Sequence, residues 1–191
     1  MSPTSARSAE LPEGLLYREE FISVDEERQL LDLLEGLNLR PVVMRRQTAR
    51  RTVRHFGLDY VYETGELEAT DSLPESMLWL RNRCAELMGR APADLVQVLV
   101  GRYPPGAGIG WHRDARIFGS RIVGLSLLAP CRMRFQRKAG GERSVAELAL
   151  APRSAYLLSG KARWSWQHSI PATKALRYSI TFRTLRRNAH G

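Results

Sequence analysis

The stretch Arg177-Tyr178-Ser179-Ile180-Thr181-Phe182-Arg183 alternates without a break. Successive side chains of a strand point to opposite faces. Tyr178, Ile180 and Phe182 therefore share one side, and Arg177, Ser179, Thr181 and Arg183 share the other. The first side suits a core. The second has two guanidinium groups and two hydroxyls, and inside a barrel those charges require anions. A dicarboxylic acid meets the requirement, because arginine grips a carboxylate through two parallel hydrogen bonds. A surface strand whose arginines face water or phosphate has the same pattern, so the surrounding sequence has to decide.

Short strand candidates recur upstream, at 95–103, 122–128, 133–135, 145–150, 155–158, 164–168 and 176–182. Pro104-Pro105-Gly106, Pro130, Gly140-Gly141, Pro152, Ser159-Gly160 and Pro171 punctuate them, as turn formers do. Many short strands so divided predict a sandwich or jelly roll. Helices precede them. Ser23-Val24-Asp25-Glu26 has the form of a capping box, and Leu30, Leu31, Leu33, Leu34 and Leu37 continue it as an apolar helical stripe ending near Gly36 or Asn38. Pro74 opens a second helix that runs to about Met88 and stops at Gly89. Residues 42–62 between them read as extended segments with an arginine-rich turn. The expected architecture is α+β and mainly β, with the N-terminal helices on one face of the strands. Residues 1–12 are expected to be a flexible tail and 13–187 a single domain.

The metal-ligating candidates lie among these strands. Trp111-His112-Arg113-Asp114 sets an imidazole and a carboxylate two residues apart, on one side of an extended chain. A histidine from a distant strand would complete a set of two His and one carboxylate, which leaves positions open for a chelating cosubstrate and O2. The chain has four histidines. His190 is terminal and His55 lies in a basic segment, so His168, ending Trp164-Ser165-Trp166-Gln167-His168, is the best third ligand. His-x-Asp alone is common, and a lone His168 reads equally as a hydrogen-bonded core histidine.

The 191 residues are 43% apolar and 26% charged, a globular mixture of single-domain size. No apolar run approaches the ~18 residues of a membrane helix, so no membrane partner is expected. Residues 1–10 lack the apolar middle of a secretory signal. Two cysteines, Cys84 and Cys131, match neither a zinc spacing nor a disulfide framework, and the expected compartment is the cytoplasm. The net charge of +9 is dominated by arginine. Six arginines and no acid lie from residue 40 to residue 54, and a second cluster holds Arg116, Arg121, Arg132, Arg134, Arg137, Lys138 and Arg143. Such an excess attracts polyanions, although an arginine-rich soluble protein has the same composition.

Taken in order, Arg102-Tyr103-Pro104-Pro105-Gly106-Ala107-Gly108-Ile109-Gly110, Trp111-His112-Arg113-Asp114, Gly124-Leu125-Ser126-Leu127, Pro152-Arg153-Ser154, Leu158-Ser159-Gly160-Lys161-Ala162-Arg163, His168-Ser169-Ile170 and the stretch 177–183 resemble the AlkB family of iron(II)/2-oxoglutarate dioxygenases. The resemblance is strong from about Gln97 to Leu185. Upstream, Arg51-Thr52-Val53-Arg54-His55-Phe56-Gly57 resembles a segment of some tRNA-modifying members. The resemblance implies a double-stranded β-helix and Fe(II), 2-oxoglutarate and O2 as cofactor and cosubstrates. It makes His112, Asp114 and His168 the iron ligands and catalytic centre. Arg177 pairs with the distal carboxylate of 2-oxoglutarate, Tyr103 helps to hold it, and Arg183 stands near its metal-bound end. Ser179 occupies a position where many relatives carry asparagine, as does Gly101, which has no side chain to offer.

The reaction implied couples decarboxylation of 2-oxoglutarate to hydroxylation of a C–H bond. On an N-methylated base the product collapses to formaldehyde and free base, and a base within a duplex must first be flipped out. Oxidative dealkylation of damaged DNA or RNA bases is the first expectation, with alkylated nucleic acid as partner and a monomeric protein. Hydroxylation of a tRNA modification or a protein side chain is the alternative. A nucleic-acid-binding module with a silent metal site is a third, against which the intact ligand set argues. Arg51, Tyr60, Tyr62, Trp111, Arg116 and Arg137 are the candidate substrate contacts. Arg116 stands where some relatives place an acid beside the lesion base.

Overall fold

The structure is a computed structural model that describes residues 7–8, 10–44, 47–61 and 64–186. Its elements in chain order are β1 (Arg7–Ser8), β2 (Leu15–Arg18), α1 (Val24–Glu35), β3 (Arg40–Met44), β4 (Gln47–Phe56), β5 (Leu58–Val61), β6 (Glu66–Ala69), α2 (Leu78–Met88), β7 (Gln97–Tyr103), β8 (Ile109–His112), β9 (Phe118–Leu127), β10 (Cys131–Ala139), β11 (Glu142–Leu150), β12 (Ser154–Leu158), α3 (Gly160–Trp164), β13 (Gln167–Ile170) and β14 (Arg177–Leu185). Tyr62 lies outside the described residues. Arg7–Ser8, within the segment expected as a tail, pair in parallel with Ser144 and Val145 of β11.

Two sheets face each other as a double-stranded β-helix. The larger runs β2-β12-β9-β14-β7-β4-β3 and the smaller β1-β11-β10-β13-β8, with β5 and β6 a separate hairpin. β14 is central, paired antiparallel to β7 on one side and β9 on the other, which explains why its alternation is so regular. Tyr178, Ile180 and Phe182 enter a core shared with Val98, Val100, Val123 and Leu125 of the same sheet and with Leu30, Leu34, Leu80, Cys84 and Met88 of the helices. A second core, built on Ile122, Met133, Phe135, Leu148, Leu158 and Trp166, fills one end of the space between the sheets.

The helices begin and end for the expected local reasons. The Ser23 side chain accepts from the Glu26 N–H while Glu26 accepts from the Ser23 N–H, and Gly36 caps the other end of α1. The second helix opens with one 3-10 turn, Glu75–Met77, before α2 proper, and Gly89 closes it with a left-handed φ of 59°, a conformation glycine adopts without penalty.

One expected strand is absent. Residues 164–168 do not run extended: Gly160–Trp164 form a short helix, and the strand begins only at Gln167. The Ala162 N–H bonds to Glu13 O and the Arg163 N–H to Ser159 O, while the Arg163 side chain turns into the protein. The aromatic residues that suggested a strand pack separately, Trp166 in the core and Trp164 partly exposed at the surface.

Candidate active site

β8 and β13 bring two histidines together. His112 and His168 are direct partners in the antiparallel register, so both imidazoles project into the space between the sheets, with ring centroids 4.2 Å apart. His112 Nδ1 lies 2.9 Å from Gly110 O, so that nitrogen donates and Nε2 keeps its lone pair. Burial pushes the pKa of both imidazoles down, to about 3 for His168, where neighbouring His112 adds to the effect. Both are neutral at physiological pH, the form that binds a metal.

Asp114 follows in the loop between β8 and β9, buried to 7% exposure. Its Oδ2 is 3.6 Å from His168 Nε2. Its Oδ1 accepts from Arg183 Nε at 2.9 Å and from the second terminal nitrogen at 2.5 Å. Burial alone would raise the Asp114 pKa, but the Arg183 guanidinium holds it well below the usual carboxylate range. Sequence reasoning put Arg183 against the cosubstrate. In the structure its guanidinium joins Asp114 to Gln97 Oε1, 3.0 Å away, as a buried carboxylate draws the nearest cation, and it lines the same cavity as Arg177 and Tyr103.

The loop bearing Asp114 is held from behind by a residue to which sequence reasoning gave no role. Arg163, 2% exposed, donates to the carbonyl oxygens of Gly119 (3.1 Å), Asp114 (3.2 Å), Ala115 (2.8 Å) and Phe118 (3.2 Å). The sequence signal was the arginine ending Leu158-Ser159-Gly160-Lys161-Ala162-Arg163.

Farther along β14, Arg177 is 2% exposed. It lies over the Tyr103 ring at 4.8 Å and donates to Ser126 Oγ at 3.1 Å. Its Nε has no partner, and no carboxylate pairs with it among the described residues. Arg177, Tyr103, Ser179, Thr181, Arg183, His112, Asp114 and His168 line one cavity, which Arg51 also reaches. A buried guanidinium without an anion, across a cavity from two neutral imidazoles and an ionised carboxylate, fits a metal chelated by a carboxylate-bearing acid. In the described residues the His-Asp-His set is gathered but not closed into metal-binding geometry.

The substrate candidates divide. Arg51 lines the cavity, and Tyr60 packs edge-on against Phe118, 6.1 Å away, whose ring lies under Arg183. Trp111 lies outside, beneath Arg134 at 5.1 Å. Arg137 stacks on Trp166 at 5.0 Å and shares an outer groove with Trp111, Arg113, Lys138 and Arg143. Arg116 lines a depression beside Asp114 with Arg113, Arg163 and Arg186. Trp111, Arg116 and Arg137 are therefore not in the cavity: the register that turns His112 inward turns Trp111 outward.

Fold and site together define a jelly roll with one cavity in which a His-Asp-His set faces a buried arginine that has no anion among the described residues, the layout of an oxygenase. A family model described as the 2OG-Fe(II) oxygenase superfamily matches residues 33–183. The chain is 31% identical over 184 residues to an alkylated DNA repair protein ALKBH8 homolog of Arabidopsis thaliana, covering 84% of this chain and 51% of that one. It is 30% identical over 174 residues to a tRNA (carboxymethyluridine(34)-5-O)-methyltransferase alkbh8 of Xenopus tropicalis, covering 87% of this chain and 26% of that one. It thus spans about half the length of the first relative and about a quarter of the second. The solved structure of OsALKBH1 superposes with a TM-score of 0.67 at 14% identity, covering 92% of this chain and 99% of that one, a likeness of fold. The chain belongs to the 2OG-Fe(II) oxygenase superfamily and, within it, to the AlkB family. The matched region is a dioxygenase domain of the class whose cofactor and cosubstrates are Fe(II), 2-oxoglutarate and O2.

Proposed function

We propose that this oxygenase hydroxylates a C–H bond on a substituent of an RNA base, with a modified tRNA base as the first candidate. His112, Asp114 and His168 hold the iron, and Arg177 holds the distal carboxylate of 2-oxoglutarate with Tyr103 and Ser179 alongside. The observation that carries the substrate reading is the charge of the site's surroundings. Among the described residues, Asp114 is the only acid lining the cavity or the depression beside it, against Arg51, Arg113, Arg116, Arg163 and Arg186. Many alkylated bases are cations, and an arginine rim repels them, whereas a neutral or acidic substituent is attracted. The name of the Xenopus relative concerns a uridine bearing a carboxymethyl group, a substituent of that type. The outer groove of Trp111, Arg113, Arg137, Lys138 and Arg143 suits the flanking phosphates.

The iron, when bound, supplies the oxidising chemistry. The chain keeps two imidazoles neutral and one carboxylate ionised to receive it, and Arg183 fixes the carboxylate's orientation. Met133, Leu150, Ile109 and Ile170 wall the cavity with apolar surface that keeps water from the reacting C–H bond.

Two measurements test this. Succinate formation from 2-oxoglutarate should require iron and vanish in Asp114→Ala; iron-loaded protein that binds no 2-oxoglutarate sinks the reading. Mass spectrometry of treated tRNA should show a gain of one oxygen on a modified base. Oxidative dealkylation is the second reading, favoured by the repair name of the Arabidopsis relative. Loss of methyl groups from alkylated oligonucleotides, with tRNA untouched, would establish it instead.

A further inference from the structure

The inner face of the large sheet carries a polar side chain that the iron-holding set and Arg177 leave unused. Four inward rows cross this face, one for each of Arg177, Ser179, Thr181 and Arg183 of β14. In the third row Thr181 pairs with Gly124 of β9, and Gly124 with Tyr156 of β12. Gly124 has no side chain, and the ring occupies the space where one would be. A Cβ at Gly124 would lie 2.3 Å from Tyr156 Cζ and 2.4 Å from its hydroxyl oxygen, so the phenol crosses β9 toward β14.

Tyr156 lines the same cavity as Arg177, Arg183 and Asp114, in the row between the Arg183 row and the row of Ser179. Its hydroxyl hydrogen-bonds to no other described residue. Burial holds the phenol well above its ordinary pKa, with Asp114 adding to the effect, so the hydroxyl keeps its proton and can donate. The second row, nearer Arg177, is made of small residues: Ser154, Ser126, Ser179 and Gly101. Arg177 donates to Ser126 of that row, and Gly101 offers no side-chain donor beside it. A Cβ there would meet Ser179 Oγ and the Tyr103 ring, both at 3.1 Å.

We propose that Tyr156 is a cosubstrate-binding residue: its hydroxyl donates a hydrogen bond to a carboxylate oxygen of the 2-oxoglutarate held by Arg177, across the opening that Gly124 leaves in β9. Tyr156 and Gly124 then work as a pair, one supplying the donor and the other the space it reaches through. The assignment rests on the reading that this cavity takes 2-oxoglutarate.

Calorimetric titration of 2-oxoglutarate into Mn(II)-loaded protein tests both separately. A donor lost from a charged acceptor weakens binding about ten- to a hundred-fold. Tyr156→Phe is expected to show such a loss, with Mn(II) affinity and unfolding midpoint in the absence of 2-oxoglutarate unchanged. Gly124→Ala, which puts a methyl group where the ring lies, should show a similar loss, with little more in the double variant. Wild-type affinity in Tyr156→Phe overturns the assignment while leaving the cavity reading intact, provided that Arg177→Met still abolishes binding. Wild-type protein that binds no 2-oxoglutarate overturns both. If Gly124→Ala fails to fold, the Tyr156→Phe titration decides alone.

Discussion

Arg163→Lys should loosen the iron site without touching it. The guanidinium donates to four backbone carbonyls, of Asp114, Ala115, Phe118 and Gly119, and is 2% exposed, so solvent screens little of the interaction. A lysine keeps the charge, but its ammonium is a single point with three donors and cannot span the same fork. It should retain about two of the bonds. Two lost hydrogen bonds from a charged donor, at about 1.5–3 kcal/mol each, amount to about 3–6 kcal/mol. For a chain of this length that is a fall in Tm of about 10–20 °C. The Asp114 loop is the part released, and groups that orient metal ligands typically change affinity by about 10–100-fold when altered. Denaturant unfolding of the metal-free protein gives the first quantity and Mn(II) titration the second. Stability within about 0.5 kcal/mol of wild type together with undiminished Mn(II) affinity would refute the view that Arg163 holds this loop.

Arg177→Met should abolish 2-oxoglutarate binding yet leave the free protein as stable as wild type or more so, since it removes a buried cation that has no anion; urea unfolding without cosubstrate is the check, and a loss above about 2 kcal/mol would contradict it. Cys84 is buried in the core and Cys131 partly so, and burial pushes both thiols up, so a thiol reagent at neutral pH should leave Cys84 unmodified and label Cys131 slowly until denaturant exposes both. Glu26 has its pKa lowered mainly by its hydrogen bond from Arg83. Its contribution is therefore complete above the ordinary carboxylate range and fades as pH falls through the lowered value. Glu26→Gln should cost under about 1 kcal/mol at neutral pH, given solvent screening, with the difference from wild type closing in acid. Equal differences at both pH values would show that charge is not the cause.

Much of this was readable because β14 is a central strand with one face on each side of a boundary. A strand buried against helices on one side and facing a polar cavity on the other has to alternate, and 177–183 does so without exception. The helix start at Ser23 was readable because a capping box is a local device. The error at 164–168 has the opposite cause. Tryptophans favour strands only where a sheet gives them a surface, and here Arg163 turning inward to four carbonyls outweighed them. β2 and β8 went unread because each is four residues long, too short for alternation to register, and β8 has Gly110 within it.

The site residues divide by the same physics. His112, Asp114, His168 and Arg177 are types that are costly to bury without a ligand, and each stood out in the sequence by its place in a motif. Arg183 also stood out, but whether such an arginine meets a cosubstrate or the metal's carboxylate depends on a distance no pattern encodes. Tyr156 did not stand out at all. A tyrosine within Ser154-Ala155-Tyr156-Leu157-Leu158 reads as one more aromatic strand residue until the register sets it opposite Gly124. A glycine in a central strand weakens the sheet unless something needs the space it leaves. Gly101 and Gly124 both lie on the inner face of this sheet, one beside Tyr103 and the other beneath Tyr156. Both tyrosines line the cavity with Arg177. The glycines of the large sheet are thus as much a part of the cosubstrate cavity as the arginine, because they set how far each ring can reach into it.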